Sequence, residues 1–100
     1  MGGTRAGFLS FTITDRTPFG VDYGEWPASP FVWVSNVFVE PGCRRGGVGR
    51  ALYARVEALA RAKGLRSVMC DVYKSNPESM GFHERLGYVP RVVIMEKLLA

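Results

Sequence analysis

Residues 31 to 39, FVWVSNVFV, are β-branched or aromatic almost throughout, and soon after them the hydrophobic period of the chain changes. A run of that kind fits a buried central strand. Pro41-Gly42 stops it. From Val48 onward, Leu52, Val56 and Leu59 recur at spacings of four, four and three, which is the apolar stripe of a helix. Gly64 closes that helix as a C-terminal cap, with Arg61 and Lys63 placed against its dipole. Strand, glycine turn and long helix in direct succession require a fold in which helices pack on a sheet.

The flanking segments extend this pattern. AGFLSFTIT, residues 6 to 14, reads as a strand, and DRTPFGVDYGEWPASP, residues 15 to 30, as a long hairpin connection. Leu65 to Tyr73 returns to strand. Asn76, Pro77 and Glu78 start a second, short helix, with Asn at the N-cap, Pro at the first helical position and an acid just inside. Phe82 and Leu86 give it an apolar edge, Gly87 ends it, and RVVIMEKL, residues 91 to 98, forms a last strand. The expected architecture is an α/β (α+β) fold, with a mixed, mostly antiparallel central sheet and two helices. Its 100 residues make one domain, 1–100.

Composition narrows the function. The chain is 47% hydrophobic, which is globular rather than disordered. No apolar run is long enough to cross a bilayer, and MGGTRAG lacks the apolar core of a signal peptide. Cys43 and Cys70 form no CxxC pair and read as reduced thiols of a cytoplasmic protein. A lone histidine excludes a His-rich metal site, so no metal is expected.

The net charge of +4 is uneven: Gly42 to Arg66 carries six Arg and one Lys against a single acid, Glu57. Within that stretch CRRGGVGR, residues 43 to 50, combines arginines and glycines between a strand and a helix. Such a turn aims unpaired backbone N–H groups at its occupant. Gly46, Gly47 and Gly49 permit positive φ and close approach, while Arg44, Arg45 and Arg50 offer fork-shaped donors suited to phosphate. The dipole adds about 0.3–1 kcal/mol for an anion. An ATP-type P-loop is excluded because no lysine precedes Lys63, and the dinucleotide fingerprint fails where Leu52 replaces its third glycine.

The stretch from Val39 to Leu52 resembles the acetyl-CoA signature of the GNAT superfamily of N-acetyltransferases, whose core Gln/Arg-x-x-Gly-x-Gly/Ala is met by Arg44, Gly47 and Gly49. Asn76 to Tyr88 resembles the family's later helix, which commonly runs Asn-x-x-Ala/Ser-x-x-Phe/Leu-Tyr-x-x-Leu-Gly-Phe/Tyr. The resemblance spans roughly Ala6 to Leu98. It implies a GNAT-like acyl-CoA-binding fold, N-terminally abbreviated, with acetyl-CoA as cofactor and an amine-bearing acceptor, small molecule or protein. By this resemblance the main chain of Val37, Phe38 and Val39 bonds the pantetheine arm. The amides of Arg44, Arg45, Gly46, Gly47, Val48, Gly49 and Arg50 cradle the pyrophosphate. Asn76, Ser79, Phe82 and Arg85 approach the cofactor, Arg85 as a partner for the adenosine phosphate. Phe82 also suits core packing, and Asn76 suits a helix cap with no cofactor.

The chemistry implied is direct attack of an amine on a thioester, which needs an acid for the departing thiolate. The family's usual tyrosine is here His83, either a proton donor or a filler of the tyrosine's space. Asp71 matches a frequent acidic position and either acts as base through water or is simply solvated. Most relatives begin with a further strand and two helices that wall the acceptor site. The acceptor pocket here is expected to be shallow, built from residues 15 to 30 with Phe19, Tyr23, Trp26 and Trp33, or else completed by another subunit. An unpaired sheet edge favours a homodimer. Two rivals stand beside the enzyme: a non-catalytic acyl-CoA-binding or regulatory module, and a small basic nucleic-acid binder that no aromatic strand motif supports. Neither nucleic acid nor membrane is expected as a partner.

Overall fold

β2, Phe31–Val39, is the middle strand of a three-stranded sheet in the computed structural model, which describes residues 6–17, 30–44, 46–73 and 75–99. On one side it pairs antiparallel with β1, Gly7–Thr14; on the other it pairs parallel with β3, Val68–Cys70. A one-turn 3-10 helix at Pro41–Cys43 leads to α1, Val48–Ala62, and β3 is followed by α2, Pro77–Arg85. The mixed sheet with two helices is as the sequence indicates.

β2 changes character at its midpoint. Phe31 to Val34 are buried, whereas Ser35 to Phe38 are exposed. The register explains the position of the change: Ser10 opposes Asn36 but Phe11 opposes Val34, so Ser35 is an extra residue, a β-bulge. Its hydroxyl donates to the Ser10 carbonyl at 3.1 Å. Pairing with β3 ends at the same point, since Val34 opposite Cys70 is the last parallel pair. The strand read as buried throughout is therefore core in one half and open in the other.

Val32 and Val34 pack on Tyr53, Val56 and Ala60 of α1, and Leu9, Leu65, Val68, Phe82, Leu86 and Tyr88 surround that centre. The buried face of α1 is Gly49, Tyr53, Val56 and Ala60, which keeps Val56 of the expected stripe and otherwise lies one position beyond it, with Val48, Leu52 and Leu59 at its margin. Small residues at 49 and 60 let the helix lie close to its neighbours, and the aromatic Tyr53 fills the middle. Gly64 (φ +73°) ends α1 and Gly87 (φ +97°) ends α2, a left-handed conformation that glycine adopts without strain. After each, a backbone N–H reaches back over the last turn, Leu65 to Ala60 at 2.9 Å and Tyr88 to His83 at 3.0 Å.

Two expectations need correction. The strand expected over Leu65 to Tyr73 contracts to Val68–Cys70, because β2 offers it only three paired positions before the strands part. The last strand expected over 91–98 does not form: this segment is irregular, and Val93, Ile94, Met95, Leu98 and Leu99 are exposed. Strand propensity yields a ladder only where another strand supplies hydrogen bonds. The greater part of the hairpin connection, residues 18–29, lies outside the described residues. No helix among those described is long and apolar enough to cross a membrane.

Candidate functional site

The turn before α1 meets the backbone requirement of an anion site. Gly47 is its N-cap at φ +84°, with no side chain capping the helix and no acid in the first turn. The first helical bond runs from Ala51 N–H to Gly47 O at 2.9 Å. The N–H groups of Val48, Gly49 and Arg50 thus precede the ladder and hold no partner among the described residues. Arg44 is exposed and its Nε donates to the Val39 carbonyl at 3.2 Å, which ties the turn to the end of β2. Arg45 lies outside the described residues. Of the three glycines, only Gly47 needs positive φ. Gly49 is buried beneath Phe82, where an added Cβ would meet the ring at 2.9 Å. Gly49 therefore makes room for an aromatic ring, and Phe82 is packing, half buried against the core.

Below the turn, the parting of β2 and β3 opens a cleft of about 60 Å³ lined by Ser35, Asn36, Val37, Tyr53, Asp71 and His83, with Val34, Cys70 and Ser79 completing it. From Ser35 to Val39 the edge of β2 that faces away from β1 has no sheet neighbour among the described residues. Val37 and Phe38 lie on this stretch, each more than a third exposed. Asp71 stands exposed at the end of β3.

His83 is 5% exposed and holds a partner on each ring nitrogen. Nδ1 lies 2.7 Å from the Ser79 carbonyl, and a carbonyl only accepts, so Nδ1 carries a proton. Nε2 lies 2.7 Å from Tyr53 Oη. Tyr53 is 1% exposed; burial, reinforced by Cys70, Glu57 and Asp71, pushes its phenol well above the ordinary range. Burial likewise holds the Cys70 thiol up. Tyr88 stacks edge-on against both rings and donates to Glu57 Oε2 at 2.7 Å.

α2 positions the remaining candidates. Asn76 caps it, its Oδ1 accepting the Ser79 N–H at 3.1 Å. Ser79 lines the cleft and gives its carbonyl to His83. Arg85 faces Arg50 across a groove of about 230 Å³ between α1 and α2, with Ala54, Glu57 and Leu86 as its floor. Trp33 is buried in the sheet, while Phe19, Tyr23 and Trp26 lie outside the described residues. Sequence reasoning missed Tyr53 and the bulge at Ser35. A tyrosine set into a helix's apolar stripe was the available signal, since a buried hydroxyl needs a partner.

Known proteins resemble this chain in sequence and in fold. The model of the acetyltransferase (GNAT) family matches residues 1–88. Aminoglycoside N(6')-acetyltransferase type 1 of Salmonella typhimurium is 31% identical over 97 residues, covering 95% of this chain and 63% of the relative. Phosphinothricin N-acetyltransferase of Streptomyces viridochromogenes is 34% identical over 76 residues, or 72% of this chain and 42% of that enzyme. The chain thus spans less than two thirds of these relatives' length. Among solved structures, aminoglycoside N-acetyltransferase AAC(6')-Iy in complex with CoA superposes with a TM-score of 0.76 at 30% identity, over 99% of this chain and 72% of that one.

Proposed function

The chain belongs to the acetyltransferase (GNAT) family, and from that premise we propose that it moves an acetyl group from acetyl-CoA to a primary amine. The observation that carries this reading is the cleft where β2 and β3 part, which leaves an open strand edge leading to the uncapped start of α1. Those residues suit the cofactor's chemistry: backbone groups of Val37, Phe38 and Val39 for the amide-bearing arm, and amides from Arg44 to Arg50 for the diphosphate. Arg85 and Arg50 offer charge to the adenosine phosphate, and Asn76 and Ser79 shape the wall beside it. Bound acetyl-CoA supplies a thioester whose C–S bond breaks as the amine nitrogen bonds to the carbonyl carbon. Asp71 removes a proton from that nitrogen through water, and His83 is the source of the proton that the departing sulfur takes up.

The acceptor is a small-molecule amine, a class supported by the relatives named for aminoglycosides and phosphinothricin. The free thiols Cys43 and Cys70 support a reducing, cytoplasmic setting. A homodimer is supported by the exposed apolar residues of 93–99. A second reading, a non-catalytic acyl-CoA-binding module, is favoured by one observation: both nitrogens of His83 already hold protein partners.

Calorimetric titration with acetyl-CoA and release of free thiol in the presence of a panel of amines test both. Binding with amine-dependent thiol release is expected. Binding without release selects the second reading, and no binding at millimolar acetyl-CoA removes both.

A further inference from the structure

The proton donor of the site is not settled by His83 alone, because direct donation would require its buried ring to give up one of two 2.7 Å hydrogen bonds. Resting on the acetyl-transfer reading, we propose that Tyr53 Oη delivers the proton into the cleft and is resupplied by His83 Nε2. Tyr53 is then the catalytic residue, and His83 acts through it.

The argument is a count of donors and lone pairs. A phenolic hydroxyl has one proton and two acceptor positions. Nδ1–H of His83 is committed to the Ser79 carbonyl in every protonation state, so only Nε2 changes. When the imidazole is neutral, Nε2 accepts, and the proton of Tyr53 points at it. When the imidazole is charged, Nε2–H donates to Tyr53 Oη. Oη, now accepting from Nε2–H, can no longer give its own proton to the ring, and Cys70 Sγ, beside it in the cleft wall, is only a weak acceptor. The hydroxyl's own proton is then left for the cleft that Tyr53 lines with Ser35, Asn36 and Asp71. Charging His83 turns the hydroxyl of Tyr53 from the ring towards the site.

The step balances. Oη releases its proton to the departing sulfur as it takes the proton of Nε2, so the sulfur leaves as a thiol, Tyr53 stays a phenol and His83 becomes neutral. The two transfers are concerted, since burial makes a free Tyr53 phenolate costly. The other titratable groups facing the pair are Cys70 and Asp71 from β3, Glu57 from α1, and Tyr88 after α2. Tyr88 keeps its hydroxyl on Glu57, outside the relay.

The test compares the full chain with Tyr53→Phe, His83→Gln and the double variant. Tyr53→Phe keeps the buried ring and loses only the hydroxyl. Each single variant is expected to lower turnover by roughly a hundredfold with CoA affinity unchanged by calorimetry, and the double variant to be no worse than either. Two further readouts do not use activity. In ¹⁵N-histidine NMR of the free protein, Tyr53→Phe should shift Nε2 and leave Nδ1 in place. Thiolate absorbance of bound CoA should titrate at higher pH in Tyr53→Phe than in wild type. Wild-type turnover in Tyr53→Phe alongside loss in His83→Gln would show direct donation by His83 and overturn the proposal, as would wild-type turnover in both. If CoA binds but no amine is acetylated, an unchanged sulfur titration in Tyr53→Phe overturns it. If CoA does not bind, the acetyl-transfer reading fails first.

Discussion

Gly49 and Gly47 sit two residues apart in one motif and answer to different physics. Alanine at 49 would place a Cβ 2.9 Å from Phe82 Cζ and 3.2 Å from Cε1, closer than packed carbons tolerate. Gly49→Ala should destabilise the fold by about 1–3 kcal/mol, read by urea denaturation, and adding Phe82→Leu should recover part of the loss. Alanine at 47 meets no neighbour but must hold φ +84°, so Gly47→Ala should cost about 1–2 kcal/mol, and Phe82→Leu should not relieve it. The glycines were plain in the sequence, but a sequence does not distinguish a glycine that admits a ligand from one that admits a ring. Asn76 is the converse case. Its place before Pro77 named it a cap, and the Oδ1 bond to Ser79 N–H makes it one. Asn76→Ala should cost about 1 kcal/mol in the same denaturation.

At the scale of elements, β1, β2 and both helices were legible because each carries its own period or caps. What was not legible depends on neighbours. The bulge at Ser35 arises from pairing with β1, and the split between β2 and β3 from where that pairing leaves room. The contact of α1 with α2 through Tyr53, His83 and Tyr88 joins residues 30 or more apart in sequence. This contact makes a pH prediction. Cys70, ordinarily titrating at 9.0, and Tyr53 and Tyr88, ordinarily at 10.0, are all raised by burial, and Tyr88 also by its bond to Glu57. The unfolded chain releases these protons first. Stability is therefore fully present below pH 9 and declines as pH rises beyond 9 to 10, with Tyr53 alone contributing about 1.4 kcal/mol per pH unit above its unfolded value. Urea midpoints measured from pH 8 to 11 should fall, and Tyr53→Phe should flatten the fall. A flat wild-type profile would contradict the burial of these groups.

The whole molecule carries a segment, Val93 to Leu99, that joins no strand among the described residues. Residues 91–99 have the composition of a strand, yet Ile94 is 75% and Met95 88% exposed, and the radius of gyration is 15.2 Å, against about 13 Å for a compact chain of this length. The sheet meanwhile ends in β3, three residues long, whose far edge has no neighbour among the described residues. A donor strand and an acceptor edge in one chain satisfy each other reciprocally in two copies, which closes the assembly and removes both exposed features at once. Alternation puts Val92, Ile94 and Leu98 on one face of the added strand together with Glu96, three apolar side chains available to cover apolar surface beside β3. The expected particle is a dimer of twice 11.1 kDa by light scattering at micromolar concentration. Ile94→Asp should convert it to monomer while far-ultraviolet circular dichroism keeps the helical signal, because nothing in the core of Val32, Val34, Tyr53, Val56 and Ala60 touches that position. A monomeric wild type, or an Ile94→Asp dimer, would mean that the segment is not what joins two copies.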